Sequence, residues 1–191
     1  MKKLLFLLLA LPLLFGCAPV PLDVNHFSPE EIKLETADIT GKAALYEYNS
    51  VLVVDLTLAN RSSMDILPKE YSVVLADGRD LKPVKMLKRS DLVEVRSKYT
   101  AGNTGGAIQD QLIAATMNNV MNAVNVPTKD KLINIIDKGI AQYFEFRPIY
   151  AGAERSGVLC FLPDFKLEYP LTLTVKCRDK KIEAQFQPAS K

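Results

Sequence analysis

The residues best suited to covalent chemistry in this 191-residue chain are three cysteines and one histidine: Cys17, Cys160, Cys177 and His26. Catalysis by a serine or cysteine nucleophile needs a base held beside it, and histidine is the usual choice. His26 lies in the proline-rich stretch APVPLDVNHFSP, which is typical of a flexible tether and holds no base in register. The sequence contains no zinc-ligand spacing, acid-rich calcium loop or P-loop. It therefore predicts neither an enzyme nor a metal or cofactor site.

Cys17 follows a segment with the features of an export signal. Lys2 and Lys3 precede an apolar run over residues 4–15. This run is shorter than the roughly 20 residues that a transmembrane helix needs, and its flanks predict a signal peptide over residues 1–16. The motif LFGC that ends at Cys17 resembles the lipobox of bacterial lipoproteins. The resemblance implies that the cysteine is alkylated with diacylglycerol and becomes the new N-terminus after cleavage.

The same resemblance implies an anchor and a location. Two or three acyl chains on Cys17 hold a protein firmly on a membrane, since each buried methylene contributes about 0.8 kcal/mol. Ala18 stands where an aspartate would favour retention in the inner membrane, so the resemblance implies the periplasmic face of the outer membrane. Residues 17–29 are then expected to form a lipidated tether, and residues 30–188 a folded domain.

Charge and length narrow the possible functions. The chain has 24 basic and 22 acidic side chains, and removing Lys2 and Lys3 with the signal leaves 22 of each. A neutral chain lacks the basic surface that a nucleic-acid backbone requires, so nucleic acid is not an expected partner. The residues left after the signal are enough for one domain with a full hydrophobic core.

Cys160 and Cys177 are candidates for a disulfide bond. An exported compartment permits disulfides, and the two cysteines would face each other if their segments formed a hairpin turning near residues 166–170. Such a bond would stabilise the fold by about 3 kcal/mol in a simple loop-entropy treatment. The alternative is a pair of buried free thiols.

Alternating apolar and polar residues predict an antiparallel β domain. The clearest strand is VLVVDLTLAN, residues 51–60, whose even-numbered and odd-numbered side chains face opposite sides. Short strands separated by turn residues at this spacing predict a β-sandwich. The other predicted strands cover residues 31–38, 42–49, 70–80, 80–87, 156–163, 170–177 and 181–187.

Two motifs resemble elements of Ig-like domains in bacterial lipoproteins. The first is VDLTLANRSSMDILP with the Asp77-Gly78 turn that follows it, and the second is YAGAERSGVLCFLP. The resemblance covers residues 31–87 and 146–187 and implies an Ig-like antiparallel β-sandwich. Many such domains are catalogued as having unknown function, so the resemblance implies a fold and not an activity.

Residues 103–145 depart from that pattern, because their apolar residues recur at helical spacing. Two helices are predicted, at 107–126 and 129–144, as an αα-hairpin inserted into the sandwich. Its apolar stripe either packs on the sheet as a lid or docks a partner protein or the bilayer. The unbroken apolar run at 158–162 favours a lid, since it predicts a strand covered on both faces. The candidate partner contacts are Met117, Met121, Ile135 and Ile140.

These features predict a membrane-anchored periplasmic lipoprotein that is a non-enzymatic protein-binding or envelope-assembly module. The second hypothesis is a carrier of a small apolar ligand or lipid, held between the helical insertion and the sheet. The expected partners are the membrane, through the N-terminal lipid, and an envelope protein.

Overall fold

A computed structural model describes residues 25–48, 51–101 and 129–189. These residues form nine β-strands and two α-helices. The strands are β1 (Asn25–Ser28), β2 (Ile32–Glu35), β3 (Ile39–Tyr48), β4 (Val51–Asn60), β5 (Tyr71–Ala76), β6 (Lys85–Met86), β7 (Glu154–Leu162), β8 (Leu171–Cys177) and β9 (Lys180–Pro188). The helices are α1 (Arg89–Ala101) and α2 (Lys129–Ala141).

The nine strands form one antiparallel sheet in the order β5-β8-β9-β1-β3-β4-β7-β6, with β2 also paired to β3. The two ends of the sheet approach each other. Val84 donates a backbone hydrogen bond of 2.7 Å to Leu75 of β5, beside a bridge between Ala76 and Pro83, and β6 follows directly and pairs with β7. The sheet therefore curls into a nearly closed barrel, which leaves few backbone edges unpaired.

The prediction of a mainly β, antiparallel domain is confirmed. β4 covers the predicted residues, and most other strands differ from prediction by a few residues at their ends. The predicted tether, however, ends before residue 29, because β1 (Asn25–Ser28) pairs with both β3 and β9. His26 thus belongs to a strand, with its side chain exposed, and not to a flexible tether.

The main hydrophobic core fills the barrel. A gap between β5 and β7 is spanned by the segment that follows α2. Phe144 in this segment donates a backbone hydrogen bond of 2.9 Å to Val158 of β7, and the Tyr71 hydroxyl of β5 donates one of 2.8 Å to the Arg147 carbonyl. The side chains of β4 and β7 that face the barrel interior belong to this core: Leu52, Val54, Leu56, Leu58, Leu159 and Phe161.

A second hydrophobic core lies outside the barrel, between the helices and the outer faces of β3, β4 and β7. In the apolar run 158–162, Leu159 and Phe161 face the barrel interior. The alternate residues Val158, Cys160 and Leu162 face the helices. This confirms the prediction that the run is covered on both faces. The buried residues of this outer core are Tyr48, Val51, Val53, Leu87, Leu92, Val95, Ile135, Ile136, Val158, Cys160 and Leu162.

The two described helices are antiparallel neighbours. Arg89 Nε, at the start of α1, donates a hydrogen bond of 3.2 Å to the Ile140 carbonyl near the end of α2. Arg96 in the middle of α1 forms an ion pair with Asp137 of α2. α2 confirms most of the helix predicted at 129–144. The helix predicted at 107–126 lies outside the described residues, and α1 was not predicted from the sequence.

The turn after β4 is organised by Asn60, which is fully buried. Its Nδ2 donates hydrogen bonds to the carbonyls of Met64 (2.8 Å) and Ile149 (2.9 Å), and its Oδ1 accepts from the backbone and hydroxyl of Ser62. All polar atoms of the side chain are therefore used, which keeps a buried amide from being destabilising. Asn60 thus ties the turn of the ANRSS motif to the segment at 149.

The predicted disulfide is not formed, because the hairpin on which it depends does not exist. β7 pairs with β4 and β6, whereas β8 pairs with β5 and β9. Cys160 faces the outer core and Cys177 belongs to the barrel core, so the two side chains lie in different layers. Both are buried free thiols. Burial raises the pKa of the Cys160 thiol to about 12, which disfavours the reactive thiolate.

Candidate functional site

A cleft of about 590 Å³ lies on the outer face of the barrel, where the helical cover ends. Its floor belongs to β3, β4 and β7. One wall consists of residues 141–143 at the end of α2, and Glu31 lines the cleft on the β2 side. This volume falls in the range of roughly 300–1,000 Å³ that is usual for small-ligand sites. We refer to this feature as the cleft.

The strand register builds the floor of the cleft as two rows of directly opposed, outward-facing residues. Because side chains alternate along a strand, these residues lie on the outer face while their neighbours fill the barrel, and Val158 is buried where the outer core begins. The hydroxyls of Thr57 and Ser156 in the second row are 3.0 Å apart. The rows are Ala44, Asp55 and Val158, and then Lys42, Thr57 and Ser156.

A change of polarity along the outer faces of two strands determines where the cleft begins. Outward positions of β4 change from Val53 to Asp55, and those of β7 change from Val158 to Ser156, one row further along. The helices cover the apolar rows and leave the polar rows open. None of these polar residues is among the candidates from sequence analysis, although the change on β4 is visible within VLVVDLTL.

A polar group at the edge of the cleft joins α2 to the sheet. Lys138 Nζ donates a hydrogen bond of 2.6 Å to Tyr46 Oη and lies 3.4 Å from Asp55 Oδ2. Partial burial lowers the pKa of Lys138, but its hydrogen bond with Tyr46 and the nearby negative charge outweigh this effect, so the pKa is above its ordinary value. Burial also raises the pKa of Tyr46. At neutral pH the group is a Lys138–Asp55 ion pair beside a neutral tyrosine.

Backbone hydrogen bonds fix the wall of the cleft to its floor. Val158 donates to the Gln142 carbonyl at 2.7 Å, and Phe144 donates back to Val158 at 2.9 Å. Gly157 permits this approach, because a Cβ at that position would lie 2.6 Å from Phe144 Cα. The wall is thus continuous with the sheet, and the cleft is formed before any ligand arrives.

The four residues expected to contact a partner differ in burial and in whether the structure describes them. Ile135 is 5% exposed and belongs to the outer core, and Ile140 is half-buried against the same core. The apolar stripe of α2 therefore packs on the sheet, as the lid alternative requires, and Ile135 has no exposed surface to offer a partner. Met117 and Met121 lie outside the described residues.

The space between the helices and the sheet is small. The cavity there measures about 10 Å³ and is lined by apolar side chains, among them Val51, Leu92 and Ile135. That is about the volume of one water-sized probe and far below the roughly 300 Å³ of a small-ligand pocket. A lipid bound there would have to displace packed side chains, so the cleft is the better ligand site.

The described residues that line the cleft carry hydroxyl, amide, carboxylate and ammonium groups, with no histidine or cysteine among them. Within the described ranges, no three His, Cys, Asp or Glu side chains are arranged to hold a metal ion. None of the described helices is long and apolar enough to cross a membrane. The sequence matches no protein-family model and no curated protein.

Proposed function

We propose that this protein is a lipid-anchored, non-enzymatic binding module of the bacterial cell envelope, and that the cleft is its binding site. The observation that carries the proposal is a preformed polar cleft whose described lining includes no pair of nucleophile and base. The two lining carboxylates, Glu31 and Asp55, are each paired with a lysine, which favours holding a ligand over acid–base or nucleophilic chemistry. The LFGC motif at Cys17 supports the anchored location, and the protein partner expected from the sequence is one possible class of occupant.

The length of the tether limits how far the cleft can lie from the membrane anchor. Cys17 and Asn25 are eight residues apart, so the chain between them spans at most about 29 Å. Asn25 pairs with Glu47, at the end of the barrel where β3 finishes and β4 begins. The floor residue Ala44 lies three residues back along β3, about 10 Å from that end. An anchor at Cys17 would thus keep the cleft within about 40 Å of the attachment point.

The finer Ig-like assignment also belongs to this proposal. It is supported by the β3–β4 and β8–β9 hairpins and by the buried Asn60 that closes the turn of the ANRSS motif. A sandwich and a flattened barrel differ in how far their edges close, so β5 and β6 decide between them. An experimental structure with these two strands well separated would favour the sandwich, and one with continuous pairing between them would rule it out.

The anchor is tested by labelling cells with radioactive palmitate. The wild-type protein should incorporate label and fractionate with membranes, whereas Cys17→Ser should do neither. Equal labelling of both proteins, or recovery of unlabelled wild-type protein as a soluble species, would refute the anchored location.

The cleft is tested by photo-crosslinking in intact cells. A benzoylphenylalanine at position 142 would project from the wall of the cleft, and the same residue at position 74 serves as the control. Val74 is 41% exposed on β5, away from the cleft. Illumination should give a discrete adduct from position 142 and none from position 74. If neither position gives an adduct, or if both positions give the same adducts, the cleft is not the binding site.

A further inference from the structure

We propose that the occupant of the cleft is an uncharged saccharide, because the charges around the cleft are paired with each other while hydroxyl groups form part of its floor. This inference rests on the proposed function and names the ligand class of the same site. It follows from three observations on the described residues: the ion pairs, the strand pairing along most of the floor, and the hydroxyl pair.

The charged side chains of the cleft neutralise one another. Lys42 Nζ lies 3.1 Å from a carboxylate oxygen of Glu31, and Lys138 Nζ lies 3.4 Å from Asp55. Within these two pairs the charges cancel, and Glu154 beside Ser156 adds one negative charge, so the cleft has no excess positive charge to attract an anion. An anion or a cation would also have to displace an existing partner, which reduces the gain from any new contact. An uncharged ligand can bind without breaking either pair.

The floor does not suit the usual modes of peptide binding. A peptide that adds a strand needs a long free sheet edge, and the floor offers only short ones. β4 is paired with β3 and β7 along the whole floor, β3 is also paired with β2 as far as Ala43, and β7 is also paired with the segment at 142–144 at Val158. A helix that docks in a groove needs an apolar surface, whereas the second floor row consists of Lys42, Thr57 and Ser156.

The hydroxyl pair provides the hydrogen-bonding groups that a sugar requires. Thr57 Oγ1 and Ser156 Oγ share one hydrogen bond, and Ser156 Oγ lies 3.5 Å from a carboxylate oxygen of Glu154. Each hydroxyl has two acceptor lone pairs and one rotatable proton, so the pair keeps acceptor capacity for ligand hydroxyls. The exposed Gln142 on the wall adds an amide, which both donates and accepts.

The remaining surface suits the carbon faces of sugar rings. Ala44 and Ala141 present small apolar surfaces to the cleft, and Tyr143 belongs to the wall with its ring packed against the outer core. The Tyr143 hydroxyl is directed to the Leu87 carbonyl at 3.4 Å, which orients the ring. Polar floor residues on neighbouring strands are separated by about 4.8 Å, which is close to the width of one sugar ring.

The test is a nuclear magnetic resonance titration of the full mature chain, with Cys17→Ser in place of the lipidated cysteine. The probes are three uncharged trisaccharides (chitotriose, cellotriose and maltotriose) and one charged counterpart, a sulfated trisaccharide. At least one uncharged probe should shift the amide signals of Thr57, Ser156 and Gln142, and the sulfated probe should bind at least about tenfold more weakly. If no uncharged probe causes shifts at about 10 mM, well above weak millimolar binding, the proposal is overturned.

Matched variants separate binding in the cleft from binding elsewhere. The double variant Thr57→Val with Ser156→Ala removes both hydroxyls with little change of shape, and should weaken binding about tenfold or more. Thr174→Val, on the outward face of β8, is the control and should leave binding unchanged. Equal effects of both changes would overturn the saccharide site. A polypeptide adduct at position 142 in cells would also overturn it, while leaving the proposed binding function in place.

Discussion

Gly139 offers the most direct test of how α2 docks on the barrel. A Cβ at this position would lie 3.0 Å from Cys160 Sγ on β7 and 3.1 Å from Leu92 Cδ1 on α1. From the sequence alone this glycine only weakens the helix, by about 1 kcal/mol relative to alanine. In the structure it allows α2 to approach the sheet and α1 at the same point.

Two effects oppose each other in Gly139→Ala. Alanine gains about 1 kcal/mol in helix propensity. Contacts of 3.0 and 3.1 Å are shorter than the optimum of about 3.5–4.0 Å, and overpacking a core costs about 1–3 kcal/mol. The leucine side chain can rotate away, but Cys160 is fixed on a strand that is covered on both faces. We therefore expect a net loss of about 1 kcal/mol in the free energy of unfolding.

The assay is urea unfolding of the chain from residue 17, with Cys17→Ser. Asn134→Ala is the control, because Asn134 is exposed on the same helix and should gain about 0.5 kcal/mol from propensity alone. The second measurement repeats Gly139→Ala in a Cys160→Ala background, where the contact with Sγ is gone. The substitution should then be neutral or stabilising, which corresponds to a coupling energy of about 1 kcal/mol.

One result would refute this account of the packing. If Gly139→Ala stabilises the protein by about 1 kcal/mol in both backgrounds, the helix gains its propensity without meeting the sheet. α2 would then not be seated on β7, and the wall of the cleft would lose its support. Destabilisation of equal size in both backgrounds would instead assign the whole effect to Leu92.

Four further predictions concern the two cysteines, Lys138 and Asn60. Cys160 and Cys177 should resist alkylation in the folded protein and react in urea without a reductant, whereas a disulfide would prevent the second reaction. Burial raises the pKa of Cys160 from 9.0 to about 12. The contribution of this neutral thiol to the free energy of unfolding should therefore be complete below pH 9.0 and decline as the pH rises towards 12. In urea titrations at alkaline pH, Cys160→Ala should reduce that decline. Lys138→Met should lower the free energy of unfolding in urea by about 0.5–1 kcal/mol, since its ion pair with Asp55 is half-exposed. Lys181→Met, at an exposed position of β9, is the control and should cause no measurable change. Asn60→Ala should cost about 3 kcal/mol in thermal unfolding, because it removes the donors to two carbonyls, and an unchanged midpoint would contradict that role.

Local patterns predict the strands well but not their partners. The alternation in residues 51–60 depends only on which side chains face the core, so it is visible in the sequence. The pairing of β4 with β7 joins segments about 100 residues apart, and no turn residue specifies it. The disulfide prediction failed for this reason, since it assumed that β7 and β8, as neighbours in the chain, also pair in space.

The helix α1 has a weak sequence signal for a physical reason. Only Leu92 and Val95 are buried among its described side chains, and Val93 between them is 48% exposed. The segment LVEV thus shows neither a strand alternation nor a full helical stripe. Its helical state depends on the outer core and on the ion pair between Arg96 and Asp137, both of which come from distant parts of the chain.

The cleft could not be predicted from any single segment, because its residues come from distant parts of the chain. The change from Val53 to Asp55 shows that the cover of β4 ends, and the change from Val158 to Ser156 shows the same for β7. Only the register places the two changes side by side. Lys138 of α2 forms an ion pair with Asp55, the first polar residue on the outer face of β4. This ion pair joins the end of the helical cover to the start of the cleft. The helical cover and the cleft are therefore parts of one arrangement, because the helix packing ends where the outer faces of β4 and β7 become polar.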